Sequence, residues 1–531
     1  MKTPASIVHS LVSAAILAAG ATAVQAGSPE RVFIEYAPGA GAMVRDAIAA
    51  EDGLIHYRFD RIGALAASLD DRAAERVARH PKVLSVEPDP KRYLAGKKVS
   101  VDDDADPQTL PYGIDRVQAP MVWAEGFEGE GVTVCIIDTG LYVGHEDIDD
   151  DHVLGGNVQY NLGEWPYGDW DFDGYGHGTH VAGTVSAADN DVGVVGVSPG
   201  KIDLYMVKIF GDDGLWTYAS DLVAAALTCS DKGADIINMS LSGSSGPNAE
   251  RKAFDALYQE DGILSVAAAS NDGTRQRVFP ASYDSVISVA ATDIDNVVAD
   301  FSNQNKWVEL AAPGVGVLST VPFVSDSWLE TASETFNGQP LEFADGESTV
   351  SGELSDGGMC LPDDPAGEWS GKIVLCERGD ASFAEKVTKV MEGSGSAAVI
   401  YNNEPGGFLG TLGEAGDWIV ALSLSQEDGQ SALDDVGHDA SARSALREGS
   451  GYEAWGGTSM ATPHVAGVAA LLWSARPDAS NIEIRQAMTA TALDLGVEGR
   501  DIAFGHGLVQ AYDALQYLQQ STTPGKGPKN R

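Results

Sequence analysis

Three short strings in this 531-residue chain hold a carboxylate, an imidazole and a hydroxyl in settings that suit chemistry. Asp138 ends an apolar run in Ile136-Ile-Asp-Thr-Gly, so its carboxylate falls at the carboxyl edge of a predicted parallel sheet, where open α/β folds place their ligands. His177 stands between glycines in Gly176-His-Gly-Thr-His-Val-Ala-Gly-Thr; the tight turn they permit lets its ring project from the start of a helix. Ser459 lies in Gly456-Gly-Thr-Ser-Met-Ala-Thr-Pro-His-Val-Ala-Gly, at the entry of a long predicted helix and the positive end of its dipole. A serine hydroxyl is a poor nucleophile until a base takes its proton. Each string also has a plainer reading. An Asp after a strand can be structural, Asp-Thr-Gly can work in pairs that share a proton, His177 and His180 could bind a metal, and Thr458 or Ser459 could simply cap a helix. Only one Asp-Thr-Gly is present, and no third metal ligand is near the histidines in sequence. A cap does not account for the whole string around Ser459.

The elements that must position these groups can be read from hydrophobic period. Val132 to about Val321 alternates short apolar runs (Val132-Thr-Val-Cys-Ile-Ile, Ile202-Asp-Leu-Tyr-Met-Val, Ile263-Leu-Ser-Val-Ala-Ala) with helices over Tyr218–Lys232 and Pro247–Glu260. That is the pattern of an α/β fold whose parallel sheet carries helices on both faces. It breaks near Pro322, where a Gly-, Asp- and Ser-rich, mainly β stretch with one helix, Ala381–Glu392, interrupts it. The α/β pattern returns with helices over Ser459–Ser474 and Asn481–Ala490. One domain is thus inserted in a loop of another. Upstream, an α+β module reads strand, helix, strand, strand, helix, strand, from Arg31-Val-Phe-Ile-Glu-Tyr to Val83-Leu-Ser-Val-Glu-Pro.

The expected divisions are residues 1–26, 27–95, 96–107, 108–322, 323–449, 450–518 and 519–531. The first has the n-region charge (Lys2), apolar run (Ile7–Val24) and small-residue ending (Val24-Gln25-Ala26) of a secretory signal peptide. Residues 96–107, with Asp102-Asp-Asp-Ala-Asp, read as an exposed processing linker, and 519–531 as a disordered tail. No other stretch is apolar enough to span a membrane. A net charge of −44 repels nucleic acid and anionic lipid, and suits high salt or cation binding as well as a plain solvated acidic coat. Four cysteines, Cys135, Cys229, Cys360 and Cys376, are too few to frame the fold.

Taken together, the Asp138, His177 and Ser459 strings resemble the subtilisin (subtilase) family of serine peptidases, in the family's chain order. The resemblance runs from about Gln108 to Tyr517, outside the insert, and implies a catalytic triad. It places the oxyanion asparagine at Asn271, in Val266-Ala-Ala-Ala-Ser-Asn-Asp-Gly, assisted by the Ser459 backbone N–H. Two walls of the pocket for the residue before the cut bond (P1) fall on Ser240, Leu241, Ser242 and on Ala268, Ala269, Ser270. Serines at 242 and 270 and Val278 stand where glycines are usual. With no acid on these walls, apolar or aromatic P1 side chains are expected.

The same resemblance implies a Ca²⁺ site built from Gln108, Asp147, Ala188, Asn190, Val192 and Val194, all offering the oxygen donors a hard cation needs. A weaker one would use Ala281, Tyr283, Val286 and Glu309, with glutamate in place of the usual aspartate. The upstream module resembles the family's inhibitor propeptide, with self-cleavage expected between Tyr93 and Pro107. The insert resembles a protease-associated (PA) domain through Gly371-Lys-Ile-Val-Leu-Cys-Glu-Arg-Gly and Gly395-Ser-Ala-Ala-Val-Ile-Tyr-Asn-Asn. Cys360 and Cys376 suit a bridge within it, whereas Cys135 and Cys229 could pair or remain small buried hydrophobes. The implied protein is a secreted, extracellular, monomeric endopeptidase that acts on protein or peptide substrates and is inhibited by its own propeptide. A narrow processing protease and a non-catalytic PA-based binding protein are the alternatives.

Overall fold

The computed structural model describes residues 29–98, 108–156, 158, 167–341, 343–346, 348–413, 416–447 and 450–520. The expected signal peptide, residues 99–107 of the linker and residues 521–531 of the tail lie outside them.

The apolar runs form a seven-stranded sheet in the order Val308–Pro313, Val286–Thr292, Leu264–Ala268, Ile236–Met239, Thr133–Asp138, Asp203–Lys208, Val153–Gly155. Every neighbouring pair is parallel. Its central strands are buried along almost their whole length, because helices cover both faces. On one face pack His177–Ser186, Thr458–Ala475, Asn481–Thr491 and Ala511–Gln520. On the other lie Ala219–Asp231 and Asn248–Ala256, and a Cys135–Cys229 disulfide ties the central strand to that layer. The last helix runs to Gln520, two residues into the expected tail, because Leu515 and Leu518 are buried beneath it.

Upstream, four antiparallel strands run in the order Leu54–Phe59, Ala64–Leu69, Glu30–Tyr36, Val83–Pro88, with helices Gly41–Ala49 and Asp71–Ala78. Alternation divides the first strand between two cores. Val32, Ile34 and Tyr36 face the module's own helices, while Phe33 joins Tyr57 and Phe59 against Ala219–Asp231 and Phe254. The small module therefore completes its burial by docking on the large one.

The insert is a closed barrel of seven strands in the order Ser327–Glu330, Thr335–Pro340, Val420–Leu424, Ala397–Tyr401, Ile373–Glu377, Thr349–Asp356, Asp439–Arg443. Cys360 and Cys376 are bonded within it.

Candidate active site

Asp138 is the last residue of its strand, and His177 the first of its helix, preceded by Gly176 at φ +92°, a left-handed value that favours glycine. His177 Nδ1 lies 2.7 Å from Asp138 Oδ1, which also accepts from the Thr139 N–H at 2.8 Å. Both side chains are fully buried, and His177 Nε2 has no hydrogen-bond partner. The carboxylate thus fixes the ring and leaves Nε2 unpaired.

Asp173, which sequence reasoning missed, holds this pair in register. It accepts from Thr139 Oγ1 (2.8 Å), the Tyr175 and Gly176 N–H groups (3.2 and 2.8 Å), and the Thr179 N–H and Oγ1 (2.9 and 2.7 Å). Thr139 Oγ1 in turn accepts from the Gly178 N–H at 2.8 Å. Strand end and helix start are thereby tied through one buried carboxylate, whose pKa burial raises while its donors pull it down. Its only sequence signal was an aspartate four residues before the histidine.

His180 takes no part in a metal site. Its Nε2 faces the carbonyls of Val317 and Glu453 at 3.0 and 3.1 Å, and it stacks on Trp455. Burial pushes its pKa down to about 3, so the ring stays neutral. Among the described residues no group of three His, Cys, Asp or Glu could hold a metal ion.

Ser459 is the second residue of the helix Thr458–Ala475. Its Oγ donates to the Ser240 carbonyl at 2.8 Å rather than to His177. The Ser459 N–H and Asn271 Nδ2 converge on a single acceptor, the Ala95 carbonyl oxygen, at 3.0 and 2.5 Å. Asn271 Oδ1 is occupied by the Thr458 N–H and Oγ1 (2.9 and 2.8 Å), which fixes the amide with its NH₂ towards Ala95. Gly457 leaves the room this requires: a Cβ there would stand 2.3 Å from the Ala95 oxygen.

Ala95 directly follows a strand threading the cleft. Lys91–Leu94 pairs antiparallel with Thr217–Tyr218 on one edge and Leu241–Ser242 on the other. The Ala95 N–H donates to the Ser240 carbonyl at 3.3 Å, and Lys97–Lys98 pairs with Trp455 and Gly456. A Cβ on Gly96 would stand 2.9 Å from His177 Nε2, so the Ala95–Gly96 bond lies between the Asn271 and Ser459 donors and the His177 ring. Lys97–Lys98, at the start of the expected linker, thus carry the cleft strand past Gly96.

The two segments expected to wall the P1 pocket meet through their side chains. Ser242 Oγ donates to Ser270 Oγ at 3.2 Å, spanning the two walls, and Ser270 Oγ donates on to Asp272 at 2.9 Å. These side chains bridge the two segments, and Ala95, whose carbonyl meets Asn271 and the Ser459 N–H, is buried. Ala268, Ala269 and Val278 are buried as well.

The expected Ca²⁺ ligands do converge. Gln108–Thr109 pairs with Gly193–Val194, bringing Gln108 Nε2 to 3.0 Å from the Ala188 and Val192 carbonyls and 3.4 Å from Asn190 Oδ1. Asp147 accepts from the Val194 N–H at 2.7 Å, but its buried Oδ1 has no partner, and burial pushes its pKa up to about 7. Oxygens gathered around one amide NH₂ beside an orphaned carboxylate oxygen suit a cation, with the amide turned to present its oxygen. The weaker set does not fit. Glu309 is bound through both oxygens by Arg485, whose guanidinium also reaches the Asp284 and Val286 carbonyls at 2.9 and 3.5 Å. The charge that would attract a cation is already neutralised.

Residues 129–346 and 427–507 match the subtilase family, 349–432 the PA domain, and 42–95 the peptidase inhibitor I9 family. Subtilisin DY of Bacillus licheniformis is 44% identical over 219 residues, 40% of this chain and 76% of that protein. Alkaline elastase YaB of Bacillus sp. (strain YaB) is 36% identical over 272 residues, 51% and 65% of the two chains. Among solved structures, the psychrophilic subtilisin-like protease Apa1 of Pseudoalteromonas sp. AS-11 superposes with a TM-score of 0.51 at 33% identity, covering 79% of this chain and all of that one. Fervidolysin of Fervidobacterium pennivorans, a keratinolytic enzyme related to subtilisin, reaches 0.60 at 24% identity, covering 92% and 61%, a likeness of fold alone.

Proposed function

The chain belongs to the subtilase family, whose members are serine endopeptidases, and from that premise we propose that Asp138, His177 and Ser459 form a triad that first cleaves this chain's own Ala95–Gly96 bond. The observation that carries the reading is the Ala95 carbonyl held by both Asn271 Nδ2 and the Ser459 N–H. Those donors sit where the negative charge of a tetrahedral adduct develops.

The steps follow from the residues. Ser459 Oγ rotates from the Ser240 carbonyl to His177 Nε2, gives up its proton there and bonds to the carbonyl carbon. Asp138 keeps the ring in one tautomer and stabilises the imidazolium. As the C–N bond breaks, His177 returns the proton to the leaving amine of Gly96, and water enters by the same base to release the acyl group. Residues 27–95 are left as an inhibitor bound through the product carboxylate of Ala95, consistent with the I9 match. External substrates follow the same path with a small P1 residue.

We assign Ca²⁺ to Gln108, Asp147, Ala188, Asn190, Val192 and Val194, where it would neutralise Asp147 and pin the mature N-terminal strand. Export by the residue 1–26 signal, an extracellular site of action and a monomeric state complete the reading. Among the described residues no helix is long and apolar enough to cross a membrane, and two disulfides suit an oxidising compartment.

Expression of wild type and Ser459→Ala in one host tests it. Wild type should acquire an N-terminus at Gly96 or beyond and take up a serine-directed phosphonate. Ser459→Ala should stay full length and unlabelled; if it loses residues 27–95 equally, self-cleavage is wrong.

A further inference from the structure

The strand in the cleft carries an arginine where a fully buried charge has no reason to be unless something was built to receive it. Arg92 stands three residues before Ala95, at the P4 position counted from the Ala95–Gly96 bond, and its side chain is completely buried. Its guanidinium meets Glu250 in a fork. Nη2 lies 2.7 and 2.6 Å from the two carboxylate oxygens, and Nε 3.1 Å from the first. The Ser245 carbonyl accepts from Nη2 at 3.0 Å, leaving Nη1 to its own neighbour, the Lys91 carbonyl.

The receiving pocket belongs to the catalytic unit. Glu250 sits in the first turn of the helix Asn248–Ala256, where the dipole favours a carboxylate, and is itself fully buried. Tyr283 donates its hydroxyl to the same carboxylate at 2.6 Å. Gly243 admits the guanidinium, since a Cβ there would lie 2.5 Å from Nη1. The backbone around Arg92 is set by pairing with Thr217–Tyr218 and Leu241–Ser242, which any extended peptide can repeat. When residues 27–95 leave, Glu250 remains with one hydroxyl and no cation. A buried carboxylate in that state penalises any occupant that fails to pair with it.

Resting on the endopeptidase reading above, we propose that Glu250 makes this cleft selective for arginine at P4, combined with a small residue at P1. The preferred substrate is an extended basic peptide of the pattern Arg-X-X-Ala. The planar fork of arginine matches the carboxylate with two parallel hydrogen bonds, so lysine is a poorer occupant. The net charge of −44 adds attraction for such peptides at low salt.

The test uses the processed enzyme and quenched peptides copying residues 92–98, with arginine, lysine, leucine, alanine or glutamate at P4 and cleavage positions read by mass spectrometry. Arginine should exceed leucine in kcat/KM by at least about 30-fold, the size expected when one partner of a buried charge pair is missing. Lysine should fall between them, and glutamate should be worst. Glu250→Leu should invert the arginine-to-leucine ratio and Glu250→Gln should reduce it. Equal rates across the wild-type panel, or an arginine preference that survives both substitutions, overturn the P4 assignment and leave the endopeptidase intact. If no peptide is cut and Ser459 takes no phosphonate, it is the endopeptidase reading that fails.

Discussion

Replacing Ser242 and Ser270 together by glycine should turn a cleft suited to alanine at P1 into one that accepts phenylalanine. In the native cleft the two hydroxyls meet at 3.2 Å across the slot. A phenyl ring must break that contact and displace two side chains before gaining any burial. With both removed, a ring sliding between the walls gains the transfer free energy of a buried aromatic side chain, about 1.5–3 kcal/mol. That converts to a rise of roughly 10- to 150-fold in kcat/KM for phenylalanine relative to alanine. Stability should change little. Ser270 has φ +81°, a conformation costing an L-residue roughly 1–2 kcal/mol that glycine is spared. Against that gain stand the greater freedom of glycine in the unfolded chain and the lost Ser270–Asp272 hydrogen bond, each about 1 kcal/mol. The assay is a pair of peptides copying residues 92–98 with alanine or phenylalanine at P1, run beside a thermal melt. If wild type already cuts phenylalanine as well as alanine, or if the double variant leaves the ratio unchanged, the closed-slot argument is wrong.

Asn271→Ala should lower kcat by about 10²–10³ with KM little changed, the size of loss known for this donor within the same family, because the donor acts on charge that exists only in the adduct. Chelation should lower the melting temperature and added Ca²⁺ restore it, since a ligand bound only by the folded chain at 100 times its Kd contributes about 2.7 kcal/mol; a melt indifferent to both removes the cation site. Release of residues 27–95 should quicken as pH rises. Burial pushes Asp89 up to about 7 from 3.8, outweighing the nearby Arg31, with Asp221 adding to the rise. The docked state therefore has its full benefit below pH 3.8 and loses it as pH climbs through about 7. Free activity should appear faster at pH 8 than at pH 5, and Asp89→Asn should flatten that profile.

The parts legible in the sequence were those carried by contiguous strings. Asp138, His177, Ser459 and Asn271 each sit in a run whose glycines and apolar neighbours announce a strand end or helix start, and these four are brought to one cleft. The parallel sheet followed from runs such as Ile136-Ile that are buried on both faces. What escaped depends on pairing through space. A glutamate in Asn248-Ala-Glu-Arg-Lys reads as a solvated helix face until Arg92, 158 residues away in sequence, is seen against it. Serines at 242 and 270 announced side chains in the pocket, but not that their hydroxyls meet. Glu309 kept its place but not its freedom, because Arg485 reaches it from a distant helix. Whether Cys135 and Cys229 were bonded turned on how closely the covering helix brings the two residues together, with Cα atoms 5.8 Å apart, a fact of packing that spacing does not carry.

The strand from Lys91 to Lys98 is gripped by backbone pairing on both sides of the bond to be cut. At about 3.3 Å per residue, that grip needs some 25 Å of drawn-out polypeptide. A folded target offers such a length only where it frays or opens, since its own helices and sheets compete for the same amide groups. Among intact proteins, where this enzyme bites is then decided by how cheaply the prey can locally come undone, and residue preference chooses only among the stretches that do.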